Sequence, residues 1–179
     1  VGHVVIDAMV SHPTDSVVMN AAELDIQSVR VDGRESPFLL DDDTERLVID
    51  ATVAAGAIAI EISFAGVLND KLRGWYRSTY RDAHGDERVI ATSQMQATDC
   101  RRAFPCFDEP DFKSVFDVTL IVEPHLLAIS NGREVERTVI EPTAPSGGKV
   151  AVRFAPTMPM STYLVAFVVG PLEATEPVM

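Results

Sequence analysis

Apolar residues recur at every second position in several short runs along the chain. Val4, Ile6, Ala8 and Val10 alternate with more polar neighbours, and the same period returns at Leu24, Ile26 and Ser28 and at Leu47, Ile49 and Ala51. The clearest case is Ile58, Ile60, Ile62 and Phe64, ending at Gly66. Phe116, Val118, Leu120 and Val122 follow, then Val150, Val152 and Phe154. The stretch Tyr163–Gly170 is apolar throughout, which predicts a strand covered on both faces. Turn-forming residues separate these runs: His12-Pro13-Thr14-Asp15, Asp32-Gly33, Asp41-Asp42-Asp43, His84-Gly85-Asp86, Asn131-Gly132 and Pro145-Ser146-Gly147-Gly148. About ten short strands punctuated in this way predict an all-β fold, an antiparallel-rich β-sandwich or saddle of sheets. Helix-length amphipathic patterns are nearly absent, and Ala97–Arg102 suits a single turn. With no internal repeat and no dividing linker, residues 1–179 read as one domain.

Composition narrows the function classes. A chain of 179 residues, 46% hydrophobic and 23% charged, can bury a real core and is not of the disordered type. The 27 acidic against 15 basic residues give a net charge of −12, with no Lys/Arg cluster to neutralise phosphates, so nucleic acid is not an expected partner. Neither Ala51–Ile60 nor Tyr163–Gly170 approaches the roughly 20 apolar residues a spanning helix needs, and no membrane span is expected. The opening residues VGHVVIDAMV carry no basic leader region, no initiator Met and no cleavage site, and they read as the middle of a strand in something longer. A reducing, cytoplasmic setting is the default expectation for a chain with two cysteines, Cys100 and Cys106, whose spacing does not suit a zinc knuckle. Such cysteines are more often small buried hydrophobes than nucleophiles.

Chemistry-bearing residues are sparse. His3, His12, His84 and His125 are scattered, without the close pairing hydrolytic zinc requires. No Gly-x-Ser-x-Gly elbow and no phosphate-cradling glycine loop is present. One stretch departs from strand-and-turn filler: Thr92–Lys113, TSQMQATDCRRAFPCFDEPDFK. Gln94 and Gln96 lie two apart, so on an extended segment they share a face, and each amide offers both a donor and an acceptor. A polar outer strand face is the plainer reading of the same spacing. Further on, Arg101 and Arg102 are placed to meet Asp108 and Glu109 across Phe104-Pro105-Cys106-Phe107, with Pro110 closing a tight loop. That arrangement suits architecture more than catalysis.

Four ordered blocks, GWYRSTY (Gly74–Tyr80), Thr92–Leu120, Ser130-Asn131 and Pro156–Gly170, resemble the amino-terminal domain of the aminopeptidase N family of zinc metallopeptidases. The resemblance runs through nearly the whole chain and implies a saddle-shaped all-β module. In that family zinc and a general-base glutamate act from the next domain, on a His-Glu-x-x-His helix, with a Gly-Ala-Met-Glu-Asn substrate loop; neither motif occurs here. By resemblance, Gln94 matches a glutamine lining the first substrate side-chain pocket. Gln96 matches the position where most members place a glutamate that binds the substrate's α-ammonium, whereas the leukotriene hydrolase branch has Gln-x-Gln. Replacing the carboxylate by a neutral amide implies a grip weaker by about tenfold. The implied partners are a peptide N-terminus and a downstream catalytic domain, with Zn2+ as cofactor of the longer protein and none in this piece, which by itself would cleave nothing. The loop of Arg101, Arg102, Phe104, Pro105, Asp108, Glu109 and Pro110 is implied to orient the glutamine strand against that catalytic domain. Two other readings stay open: a non-catalytic scaffold built on the same module, and a bifunctional epoxide hydrolase and aminopeptidase.

Overall fold

The computed structural model describes residues 1–140, 148–173 and 175. Among them every strand ladder is antiparallel and there is no α-helix, as the period-two pattern requires. The first sheet orders β1 (Gly2–Val10), β7 (Gly56–Gly66), β3 (Leu24–Val31) and β4 (Arg34–Glu35) as β1-β7-β3-β4. Facing it is β2-β6-β5, built from β2 (Thr14–Asn20), β6 (Arg46–Val53) and β5 (Phe38–Asp41). Between them Val17, Met19, Val29, Val31, Leu47, Ile49, Ile58, Ile60, Ile62 and Phe64 form one core.

A second pair of sheets encloses a second core. One sheet is β11-β14-β9-β8, made of β8 (Gly74–Arg81), β9 (Glu87–Gln94), β11 (Leu127–Ser130) and β14 (Phe167–Gly170). The other is β10-β13-β12, from β10 (Thr119–Val122), β12 (Glu134–Ile140) and β13 (Lys149–Phe154). Leu120, Val122, Val150, Val152, Phe154, Phe167 and Val169 meet inside, together with Met95, Cys100, Ala103 and Cys106 from the intervening segment. Phe104 packs against both cores, so the segment between β9 and β10 is the joint of the molecule.

Where the pattern and the structure diverge, local hydrogen bonding is the reason. The alternation beginning at Leu24 slips at a bulge between Ile26 and Ser28, and the inward face resumes at Val29 and Val31. The apolar run Ala51–Ile60 is two strands in two different sheets, with the chain crossing over at Ala54-Ala55. Phe116 and Val118 precede the regular ladder: Phe116 N donates to Thr157 Oγ1 (3.0 Å), and Phe154 N donates to the Val118 carbonyl (3.0 Å). The expected doubly covered strand over Tyr163–Gly170 is a correction: its first part is a 3-10 turn, Thr162–Leu164, and only Phe167–Gly170 is strand, with Leu164 49% exposed. Leu164 N and Val165 N close the turn on the Ser161 and Thr162 carbonyls (3.1 and 3.0 Å), and Thr162 within it points at a buried carboxylate, described below.

The turns follow their chemistry. Asp32-Gly33 joins β3 to β4 with φ of 50° and 75°, the two left-handed residues that a two-residue hairpin needs. At Asp41 the carboxylate accepts from the Asp43 and Thr44 amides (3.1 and 3.3 Å) and from the Thr44 hydroxyl (2.8 Å). Of the expected Pro145-Ser146-Gly147-Gly148 turn, all but Gly148 lies outside the described residues.

Candidate functional site

β9 ends at Gln94, paired with Gly74 of β8. Because cross-strand neighbours share a face, Gln94 and Thr92 lie on the outward side with Tyr76 and Val168, while Phe167 and Val169 face the core. The next residue, Met95, drops into that core at 2% exposure, and Gln96 comes out again. Both glutamines are thus exposed on either side of a buried anchor. Among the described residues no hydrogen bond occupies either side-chain amide, so donors and acceptors stand available to a ligand. The Gln96–Ala97 peptide is cis, and the chain turns there toward the joint.

The turn is fastened from below. Asp99 N donates to the Met95 carbonyl (2.9 Å), and the Asp99 carboxylate accepts from Arg102 Nε (2.9 Å). A 3-10 turn at Cys100–Arg102 then places its two arginines differently. Arg101 Nε donates to Asp108 Oδ2 (3.0 Å) and Arg101 Nη1 to Glu45 Oε2 (3.2 Å). Arg102 turns away from Glu109 and gathers Asp99, Glu23 (2.7 Å) and Glu45. Glu109 is exposed, and its contribution to the loop is a backbone carbonyl accepting from Phe112 N (3.1 Å). The expected pairing of two arginines with two acids therefore holds for Arg101 and Asp108 but not for Arg102 and Glu109.

Asp108 is the buried centre of this loop, its side chain 1% exposed. Its Oδ2 also accepts from the Arg101 backbone N (3.3 Å), and its Oδ1 accepts from Thr162 Oγ1 (2.6 Å). Asn20 Oδ1 accepts from Asp108 N (3.2 Å), and Asn20 exchanges two backbone hydrogen bonds with Cys106. Pro110 supplies a carbonyl to Ser161 Oγ (2.7 Å), and Pro105 is fully buried. Phe104 leans on Phe116 and Phe167 with ring centroids 6.4 and 6.2 Å away. The loop so built ties β2, the β5–β6 turn and the second core into one piece.

Glu23, Glu45, Asn20 and Thr162 escape a sequence reading because they lie 54 to 88 residues from their partners along the chain. Glu23 and Glu45 are also held at φ of 56° and 54°, left-handed backbone that costs a non-glycine residue roughly 1 kcal/mol or more. Both left-handed glutamates thus converge on the Arg102 guanidinium.

Cys100, Cys106 and Asp108 bring their potential ligand atoms within 4.8 Å of one another, the one such grouping of three among the described residues. It does not fit a hydrolytic metal. Both Asp108 oxygens are already engaged by Arg101 and Thr162, burial pushes the Cys100 thiol well above its ordinary range, and all three residues are sealed from solvent. A catalytic zinc keeps an open coordination position for water or substrate.

The sequence has relatives among known proteins. Residues 1–164 match the family model described as the peptidase M1 N-terminal domain. The chain is 43% identical over 180 aligned positions to the puromycin-sensitive aminopeptidase of Caenorhabditis elegans, covering 96% of this chain and 19% of that protein. It is 39% identical to aminopeptidase 2 of Candida albicans (96% and 18%) and 38% identical to the alanine/arginine aminopeptidase of Saccharomyces cerevisiae (98% and 21%). The chain thus spans about a fifth of the length of the curated relatives it matches. No helix among the described residues is long and apolar enough to cross a membrane. With an all-β sandwich in place of helices, and a sequence match that runs from the first strand into the Thr162 turn beneath the Asp108 loop, the chain belongs to the peptidase M1 N-terminal domain family.

Proposed function

We propose that this chain is the substrate-facing domain of a longer aminopeptidase that removes N-terminal amino acids from peptides. In this reading Gln94 and Gln96 hold the amino end of the peptide, and the metal-dependent bond cleavage occurs in a downstream catalytic domain that carries Zn2+. The single observation that carries it is the pair of exposed, unoccupied amides flanking buried Met95. An amide carbonyl accepts from an ammonium N–H, and the amide NH2 donates to a peptide carbonyl, so two of them side by side match the two polar ends of a terminal residue. Gln96 is neutral, so its contact with an ammonium is worth about 1 kcal/mol, against roughly 1.5–3 for a carboxylate in its place. The Asp108 loop acts on the amides through structure: Asp99 and Arg102 hold the turn in which Gln96 sits. The names of the relatives, all aminopeptidases, favour peptides over epoxides as substrates.

Two measurements test the reading. The 179-residue chain incubated with zinc and a series of aminoacyl anilides is expected to give no turnover; turnover by the purified chain refutes the division of labour. In the full-length protein, Gln96→Glu is expected to lower KM for an aminoacyl anilide by about tenfold. An unchanged KM removes Gln96 from amine recognition.

A further inference from the structure

The joint between the two cores contains a pair of thiols that the proposed peptide binding does not use. Cys100 opens the 3-10 turn at 0% exposure and Cys106 sits across the loop at 4%. Their sulfurs lie within 4.8 Å of one another. The backbone fixes both ends of the loop: the Cys100 carbonyl accepts from Ala103 N (2.8 Å) and Phe104 N (3.1 Å), while Cys106 exchanges hydrogen bonds with Asn20 at 2.8 and 3.0 Å. Only five residues separate them, among them buried Pro105, so each sulfur has the other as a standing neighbour. Metal binding is the competing use of the pair, and the third ligand it would need, Asp108, is committed to Arg101 and Thr162. What remains available to two adjacent sulfurs is a bond of about 2.0 Å between them.

We propose that Cys100 and Cys106 form a reversible disulfide, a covalent lock on the loop that joins the two cores. The oxidant is a low-molecular-weight disulfide of the glutathione class. One cysteine loses its proton to solvent, its thiolate attacks a sulfur of the oxidant, and one small thiol leaves; the second cysteine, deprotonated in turn, displaces the small thiol from the mixed disulfide. Two protein thiols are oxidised by two electrons, and one small disulfide is reduced to two thiols. Burial, with a hydrogen bond donated by the Cys100 thiol to Cys106 and the nearby Asp108 carboxylate, holds the Cys100 thiol protonated, and Arg101 opposes this. Attack from Cys100 is therefore slow near neutrality, accelerates as pH rises, and needs local opening of the loop. Once closed, the bond removes freedom from the unfolded chain and raises the melting temperature by about 5 °C or more.

The reduced 179-residue chain, kept folded at about pH 8 with millimolar oxidised glutathione, provides the test. The expected product is lighter by about 2 Da, for the two hydrogens removed. It has lost both free thiols when counted in denaturant, and dithiothreitol restores them. Trypsin then releases residues 89–101 and 103–113 as one linked pair, since Arg88, Arg101, Arg102 and Lys113 bound the two cysteine peptides. Cys100→Ala and Cys106→Ala each end instead as a single glutathione adduct. The proposal fails if the folded wild-type chain carries glutathione on both cysteines, keeps both thiols free, or forms the link only in urea. These readouts on the unaltered sequence decide the matter even where a variant does not fold.

Discussion

Asp108→Ala removes the acceptor around which the joint is organised. Three accepted hydrogen bonds are lost, from Thr162 Oγ1, Arg101 Nε and the Arg101 backbone N. Thr162 Oγ1, buried and bonded at 2.6 Å, is left without its acceptor, which costs about 1–3 kcal/mol. Arg101, its side chain 13% exposed, loses one of two carboxylates and keeps Glu45 at 3.2 Å, which places this loss at or below the low end of the roughly 3–5 kcal/mol for breaking a buried pair. Together the expected cost is about 4 kcal/mol, a large part of the 5–15 kcal/mol that holds a typical domain folded. A chain of this size shifts by about 2–4 °C per kcal/mol, so the melting temperature falls by roughly 8–16 °C. Urea melts followed by circular dichroism measure the free energy directly. A cycle with Thr162→Val isolates the hydroxyl contact, because Val keeps the shape and deletes the donor. The coupling expected is about 1.5–3 kcal/mol, the value of a hydrogen bond to a charged group. If Asp108→Ala costs less than about 1 kcal/mol, or the two substitutions add to within about 0.5 kcal/mol, Asp108 is not the organising centre described here.

Two further outcomes follow from the same geometry. Gly74→Ala destabilises by at least about 2 kcal/mol, read from a urea melt: φ is +67°, and the added methyl would stand 2.7 Å from Arg102 Cβ and 3.2 Å from the Asp99 carbonyl oxygen. Glu134 on β12 is held below the usual carboxylate range by the two-pronged Arg137 contact, at 2.8 Å on each prong. A lowered folded-state pKa gives stability that is full above the ordinary glutamate range and lost as pH falls through the folded value, so the gap between wild type and Glu134→Gln closes on acidification. Both side chains are more than a third exposed, and the gap at neutral pH is only about 0.3 kcal/mol. A gap that persists at pH 3 in parallel denaturation curves contradicts this sign.

The sequence disclosed most where a strand has one dry and one wet face. β1, β6 and β7 follow their alternation almost residue for residue, because Ile60, Ile62, Leu47 and Ile49 must face a core and their neighbours must not. β8, β9 and β12 were unreadable for the opposite reason. Most of their residues are exposed or half-buried, so no apolar period marks them, and their strand character comes from partners across the sheet. The Gln94, Met95, Gln96 alternation was legible because two exposed amides flank an apolar anchor. The ion-pair hub was only half legible. Arg101 and Asp108 are seven residues apart, whereas Glu23 reaches Arg102 from 79 residues away, and nothing local announces a contact that only the completed sheets create.

One phenyl ring, that of Phe104, is shared by both hydrophobic interiors, so melting either half strips that ring of its contacts on one side. A chain carrying two separate oil drops would ordinarily lose its structure in two steps. Here the common ring, and the guanidinium clasp beside it, couple the halves, and the expected outcome is one calorimetric transition in place of two.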